Sequence, residues 1–326
     1  MIISRTPLRV SFLGGGSDLP AYYRRHGGAV LSAAIDHSIY ITVSRKFDDA
    51  VRVSYSRTEE VAHASQIEHP LVRESLAMLG IEGGIEITSV ADIPAKGTGL
   101  GSSSSFTVGL LNALHAYCGR HATAADLARE SCQIEIERCG EPIGKQDQYA
   151  AAFGGFNFIR FHPDESVEVK KVICPPGVIA DLQTRLLFFY TGITRSASAL
   201  LQQQSAEIAA PGVKSDAMSK MVRVAETAYA DLCAARINAL GTMLHEAWEI
   251  KKQMASGITN ALIDEAYRAA INAGAEGGKL LGAGGGGFLM FFAPPERHDS
   301  IRHALRSMRE MPLRFAPQGS SIIFVH

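Results

Sequence analysis

Apolar and polar residues alternate with a period of two in several early stretches of the chain. VRVSYS from Val51 and GIEITSV from Gly84 each read as a strand with one buried face. RVSFLG (9–14) and HSIYITVSRKF (37–47) are rich in β-branched and aromatic residues and also read as strands. LPAYYRRHGG reads as a short helix stopped at Gly27 and Gly28. Residues 102–117 predict a helix that is apolar on most sides and therefore buried. Thr123 and Asp126 have the spacing of a capping box, opening a helix that reaches about Arg138.

Glycines and prolines between residues 151 and 180 suggest a crossover between domains. TRLLFFYTG follows as a buried strand. Residues 196 to about 273 read as mostly helical, with breaks near Pro211–Gly212, Gly241 and Gly257. The apolar strand FLMFF, a charged helix over about 296–309 and a final strand SIIFV complete the chain. Strands mixed with helices in the last third predict an α+β sandwich. No internal repeat is visible.

Composition adds limits rather than detail. With 326 residues, 46% hydrophobic and 20% charged, the chain has material for two domains or one large one. A net charge of −1 supplies no basic field for nucleic acid. Five cysteines form no CxxC pair, which argues against a disulfide framework or a zinc site. No apolar run is long enough to span a bilayer and no signal peptide is visible, so the expected location is the cytoplasm.

Four segments carry candidate chemistry. In PAKGTGLGSSSS, Gly97, Gly99 and Gly101 allow backbone N–H groups to converge, and the serines begin a helix whose N-terminus favours anions. This is either a polyphosphate cradle or a tight turn with a serine cap. Gly282–Gly287 holds five glycines and an alanine, which suggests a backbone passing close to another backbone or to a ligand rather than a flexible loop. RTPLRVSFLGGGSDLPAYY presents Ser17 and Asp18 at a helix start, where Asp18 is an N-cap or an acceptor for sugar hydroxyls. PIGKQDQYAAAFGG places Lys145, Asp147 and Gln148 in a polar turn, a loop surface or a site.

Other chemistries lack their signatures. No GK[ST] follows the first glycines, a dinucleotide fingerprint lacks its third glycine, and neither HRD nor DFG occurs. His245-Glu246 lacks the second histidine of HExxH, and GxSxG is absent. Trp248 reads as helix packing.

Taken together, the four segments resemble the GHMP kinase superfamily: galactokinase, homoserine kinase, mevalonate kinase and phosphomevalonate kinase. The order matches, from an N-terminal substrate motif through P-x-x-x-G-L-G-S-S-S to a glycine-rich motif near the C-terminus. RTPLRVSFLGGGSDLPAYY, EIERCGEPIGKQDQYAAAFGG, YTGITRSAS and KLLGAGGGGF look most like the D-glycero-D-manno-heptose 7-phosphate kinases, which phosphorylate an anomeric hydroxyl. A departure from galactokinase is Gly-Gly-Ser in place of Glu-His-Thr before Asp18.

The resemblance implies an α+β fold of two lobes, residues 1–165 and a ferredoxin-like lobe over 166–326, with the active site between them. It implies ATP and Mg²⁺, a sugar phosphate as acceptor, and a monomer or homodimer. Gly97, Gly99, Leu100, Gly101, Ser102, Ser103 and Ser104, with Gly284 and Gly285, correspond to the nucleotide site. Ser103 and Glu137 correspond to the metal ligands, with Glu135 as the alternative to Glu137. Asp147 corresponds to the catalytic base, assisted by Arg9 or Lys145. Gly16, Ser17, Asp18 and Gln148 are the sugar-facing candidates. Arg195, just before a predicted helix, is the candidate for the substrate's own phosphate, with Lys145 and Arg24 or Arg25 behind it. Competing readings are a fucokinase- or galactokinase-like enzyme, a non-catalytic sensor, and an ATP-dependent decarboxylase.

Overall fold

The computed structural model describes residues 1–93, 97–194, 198–209 and 213–326. Its strands are β1 (Ile2–Leu13), β2 (Gly28–Arg45), β3 (Val51–Ser54), β4 (Thr58–Val61), β5 (Ile85–Ala91), β6 (Phe156–Phe161), β7 (Val167–Lys171), β8 (Leu186–Tyr190), β9 (Gly277–Leu280), β10 (Phe288–Phe292), β11 (Arg309–Glu310) and β12 (Ser321–Val325). They form two sheets. The larger runs β12-β1-β2-β5-β3-β4, with β6 paired to β2 and β7 to β6. The smaller runs β11-β8-β10-β9.

The long strand β2 organises the larger sheet. Its first half pairs with β6 and its second half with β5, while β1 runs along its other edge. The first eight residues of β2 are buried, so its sequence shows no alternation there. Strand β1 begins at Ile2, well before the expected Arg9, because its polar residues find partners. Ser4 donates to Gly109 O at 2.7 Å, and Thr6 Oγ1 lies 2.7 Å from Ser320 Oγ. Gly109 belongs to the helix Ser102–Tyr117, which packs across β1 and β2; a Cβ there would lie 2.7 Å from Thr6 Oγ1.

In the smaller sheet every pairing is antiparallel. Helices separate its first and second strands, and its third and fourth, so the order 4-1-3-2 is ferredoxin-like as expected. Both faces of its central pair are covered. Leu187, Phe189, Leu289 and Phe291 pack with Trp248 and Tyr267, while Phe188, Met290 and Phe292 join the main core. Burying each such side chain contributes about 1.5–3 kcal/mol, which is why FLMFF carries no polar residue.

The helical break expected near Gly241 is present over residues 234–239, and Gly241 itself sits in the first turn of Leu240–Lys252, where a Cβ would meet Glu276 Cβ at 2.6 Å. The Thr123 capping box forms and the helix it opens reaches Arg138 as expected, α-helical over Ala124–Cys132 and π-helical over Gln133–Arg138. The charged C-terminal helix is shorter, His298–Ala304. The chain's last strand, β12, returns to pair with β1 in the larger sheet. Among the described residues no helix is long and apolar enough to cross a membrane.

Candidate active site

A cavity of about 640 Å³ opens where the two sheets' loops meet. Three glycine-bearing loops wall it. The first, 97–101, adopts positive φ at Gly97, Gly99 and Gly101, the last being the N-cap of Ser102–Tyr117. A Cβ on Gly101 would sit 3.1–3.3 Å from the Arg9 side chain. The helix therefore points the unpaired N–H groups of its first turn, at Ser102, Ser103 and Ser104, toward the cavity these residues line.

The second glycine run backs directly onto the first. A Cβ on Gly99 would lie 2.5 Å from Leu281 O, one on Gly282 would lie 2.4 Å from Gly99 Cα, and one on Gly287 would lie 2.4 Å from Thr98 O. The run is thus demanded by a neighbouring backbone. Gly284 lines the cavity, whereas Gly285 N–H is committed to Ile258 O and its residue does not line it. Leu100 is fully buried and uses its carbonyl to accept Arg9 N–H at 3.0 Å.

Arg9, near the end of β1, and Asp147, in the first turn of the helix Gln146–Phe153, meet in the cavity. Arg9 Nε and Nη2 donate to the two Asp147 oxygens at 2.7 and 2.6 Å, and Nη1 donates to Gly99 O at 2.6 Å. This bidentate geometry fixes the carboxylate. The Asp147 side chain is 24% exposed against 5% for Arg9, so its free edge faces the cavity.

Asp18 ties the third loop to the same helix. It accepts from Gly16 N–H at 2.9 Å, Gln146 N–H at 3.2 Å and Gln146 Nε2 at 3.0 Å. A Cβ on Gly144 would lie 2.0 Å from its Oδ2. Burial, and then the nearby Asp147 charge, raise the Asp18 carboxyl above its usual range. Gly16 and Asp18 both line the cavity. Ser17 does not: its Oγ donates to Gly14 O at 2.8 Å and accepts Ala29 N–H at 3.0 Å, holding the loop's shape.

Three further expectations change. Glu137 lies exposed; the carboxylate that meets Ser103 is Glu135, because residues two apart on a helical turn face opposite ways. Glu135 is fully buried and accepts from Ser103 Oγ at 3.2 Å, Ser104 Oγ at 2.7 Å, Thr107 Oγ1 at 3.1 Å and Gln148 Nε2. Burial pushes its carboxyl up to about 7 against those hydrogen bonds. Gln148 therefore braces Glu135 and does not line the cavity. Lys145 is drawn away from Asp147 to Glu165, and its ammonium lies 4.9 Å from the Tyr23 ring centroid. Arg195 lies outside the described residues, and Arg24 is paired with Glu165.

Two lysines in the cavity carry no role in the sequence reading, although Lys279 opens the KLLGAGGGGF segment. Lys251, at the end of Leu240–Lys252, donates to Gly282 O, and Lys279 in β9 donates to Phe12 O at 2.9 Å. They are 6% and 3% exposed. Burial, then neighbouring cations, hold Lys251 down to about 8 and Lys279 well below the usual lysine range. The one signal in the chain is a lysine within the apolar run GGKLL, where burial is costly without a purpose.

An anion-favouring loop, a fixed carboxylate beside it and an oxygen pair at Ser103–Glu135 are groups that phosphoryl transfer to a hydroxyl could use. The chain is 29% identical to D-glycero-alpha-D-manno-heptose 7-phosphate kinase of Campylobacter jejuni over 94% of this chain and 93% of that one. It is 24% identical to the bifunctional fucokinase/GDP-fucose pyrophosphorylase of Arabidopsis thaliana over 94% of this chain and 31% of that one. The crystal structure of a D-glycero-D-manno-heptose 1-phosphate kinase from Bacteriodes thetaiotaomicron superposes with a TM-score of 0.82 at 26% identity, covering all of both chains. The models for the GHMP kinases N terminal domain and the GHMP kinases C terminal domain match residues 58–155 and 228–310. Since these two matches span more than half of the chain and the fold agrees throughout, the chain belongs to the GHMP kinase superfamily.

Proposed function

We propose that this sugar kinase transfers the γ-phosphoryl group of ATP to the anomeric hydroxyl of a D-glycero-D-manno-heptose 7-phosphate, with Asp147 taking the hydroxyl proton. The observation that carries the reading is the bidentate Arg9–Asp147 pair bonded through the same guanidinium to Gly99 O, which sets a base beside a phosphate loop. Similarity to heptose 7-phosphate kinase over nearly the full chain supports the sugar class.

In this mechanism the triphosphate lies along residues 97–104, and N–H groups of the Ser102–Tyr117 N-terminus bind its oxygens. Asp18 and the loop around Gly16 orient the sugar. As the sugar oxygen bonds to γ-phosphorus, its proton passes to Asp147. The bond from γ-phosphorus to the bridging oxygen breaks, leaving its electron pair on ADP. Arg9 keeps the carboxylate aimed, so it needs little reorganisation during the step.

The residues present suit Mg²⁺. Ser103 Oγ and Glu135 supply hard oxygen donors, and Glu135 is a buried carboxyl that a neighbouring cation would ionise. Among the described residues no cluster of three or more His, Cys, Asp or Glu could hold a metal alone, so phosphates and water would complete its shell. When bound, the ion neutralises phosphate charge. We further propose that the first lobe runs to about residue 171, past the expected boundary at 165, because β7 still pairs with β6, and that β12 rejoins it by pairing with β1.

The test is ATP consumption with heptose 7-phosphate, heptose 1-phosphate, fucose, galactose and mevalonate in parallel. The reading predicts the highest kcat/KM for heptose 7-phosphate. A preference for an unphosphorylated sugar would replace it with a fucokinase- or galactokinase-like activity.

A further inference from the structure

Two buried ammonium groups face the cavity, and each is bonded to a backbone carbonyl rather than to a carboxylate: Lys251 to Gly282 O and Lys279 to Phe12 O. Their place in the fold is specific. Gly282 abuts Gly99, where a Cβ on the former would lie 2.4 Å from the latter's Cα, and Gly99 O is the carbonyl that Arg9 holds. Lys251 and Arg9 therefore grip adjacent points of two touching glycine loops, and both line the cavity that Asp147 also lines. Phe12, the partner of Lys279, lies three residues beyond Arg9 on β1.

A buried cation with no counter-charge is unfavourable, and two near one another more so. Lys251 and Lys279 both feel Arg9 as a like charge, and Lys279 feels Lys251 as well, while Asp18 and Asp147 oppose them at Lys251. Arg9 already occupies both oxygens of Asp147 and Asp18 is satisfied by the Gly16 and Gln146 amides, so neither carboxylate neutralises the lysines. The missing charge is that of an anion entering the cavity.

We propose that Lys251 and Lys279 form a receptor for the phosphoryl group in flight, contacting it beside Asp147 and gaining strength as charge spreads over its equatorial oxygens. The inference rests on the kinase reading but not on the identity of the sugar. The group transferred must pass between Asp147 and the 97–104 loop, and Lys251 is anchored on Gly282 O, which abuts Gly99 of that loop. A phosphate already on the sugar, at the end remote from the reacting hydroxyl, would lie elsewhere. In the balanced step one sugar O–P bond forms, one P–O bond to the β-phosphate breaks and the proton goes to Asp147; neither lysine exchanges a proton in the step.

The experiment uses ADP, Mg²⁺ and aluminium fluoride, which mimic the planar phosphoryl group without any sugar. Lys251→Met, with Lys251→Gln as the second variant should Met misfold, is compared with wild type by calorimetry. The expected result is a loss of affinity for the ADP–aluminium fluoride complex of about 100-fold, with ADP affinity within about threefold, and partial recovery in Lys251→Arg. Binding to the wild type at pH 9 takes up protons as the lysines charge, and the Lys251→Met and Lys251→Gln variants take up fewer. Equal losses for ADP and for its fluoride complex, or uptake unchanged by removing Lys251, would overturn the proposal. A preference for another sugar in the substrate screen would not affect either result.

Discussion

Arg9 and Asp147 stand 138 positions apart in the chain and are joined by two parallel hydrogen bonds of 2.7 and 2.6 Å. The third arm of the same guanidinium ends on Gly99 O at 2.6 Å. One side chain thus sets the spacing between the carboxylate and the phosphate loop, and a residue of β1 couples the first strand to two later segments.

Arg9→Lys should retain the charge and lose the fork. A single ammonium cannot hold both Asp147 oxygens and Gly99 O together, so the carboxylate gains rotational freedom. The expected outcome is a fall in kcat of at least about tenfold, with ATP affinity changed by less than a factor of about three. Steady-state kinetics beside equilibrium nucleotide binding checks it; unchanged kcat would show that the fork does not orient the base.

Nucleotide binding should depend on pH through Glu135. Burial pushes this carboxyl from 4.5 up to about 7, so the folded protein holds its proton more tightly than the unfolded chain. The stability from neutral Glu135 is complete below 4.5 and is lost as pH rises through about 7. A cation at Ser103–Glu135 needs the ionised form. Affinity for the Mg²⁺ complex of a non-hydrolysable ATP analogue should therefore rise by up to about tenfold per unit from pH 6 toward 7, then level. In Glu135→Gln that slope should vanish. A flat wild-type profile by calorimetry would contradict the assignment.

Gly282→Ala should be severe despite adding one methyl group. The residue has φ of +75° and the new Cβ would lie 2.4 Å from Gly99 Cα, backbone against backbone. Strain of this kind costs roughly 1–3 kcal/mol, and separating the loops would also disturb the Lys251 contact with Gly282 O. Thermal unfolding should show a lower Tm, and nucleotide affinity should fall with it. Gly80→Ala, also at positive φ but with nothing near its Cβ, isolates the conformational cost from the collision.

Lys145→Met should be mild, against the role suggested by its place two residues before Asp147. Its ammonium serves Glu165, whose side chain is 44% exposed, in a pair worth about 1 kcal/mol or less. We expect kcat within about threefold of wild type, a barrier change below about 1 kcal/mol. A loss of two orders of magnitude would return Lys145 to the catalytic centre.

How much the sequence disclosed follows from where each segment sits. β3 and the start of β5 alternate visibly because one face of each is more exposed, whereas the first half of β2 is buried on both faces and shows no period. The phosphate loop was legible because clustered glycines followed by serines at a helix start suit convergent backbone amides better than they suit packing. That Gly282–Gly287 answers to the backbone of Thr98–Gly99 needed tertiary contact to see. Glu135 and Glu137 are indistinguishable by composition; only the orientation of the π-helical turn separates them. Lys251 follows from no local pattern, since its meaning comes from Gly282, 31 positions away.

The central claim is that Asp147 removes the proton from the acceptor hydroxyl while the 97–104 loop holds the triphosphate. Single-turnover phosphoryl transfer from radiolabelled ATP to heptose 7-phosphate, wild type against Asp147→Asn, tests it most directly. The account predicts a rate lower by about 10²–10⁴ with the dissociation constant for ATP nearly unchanged. A rate within about tenfold of wild type, or a loss explained wholly by weakened ATP binding, would contradict it.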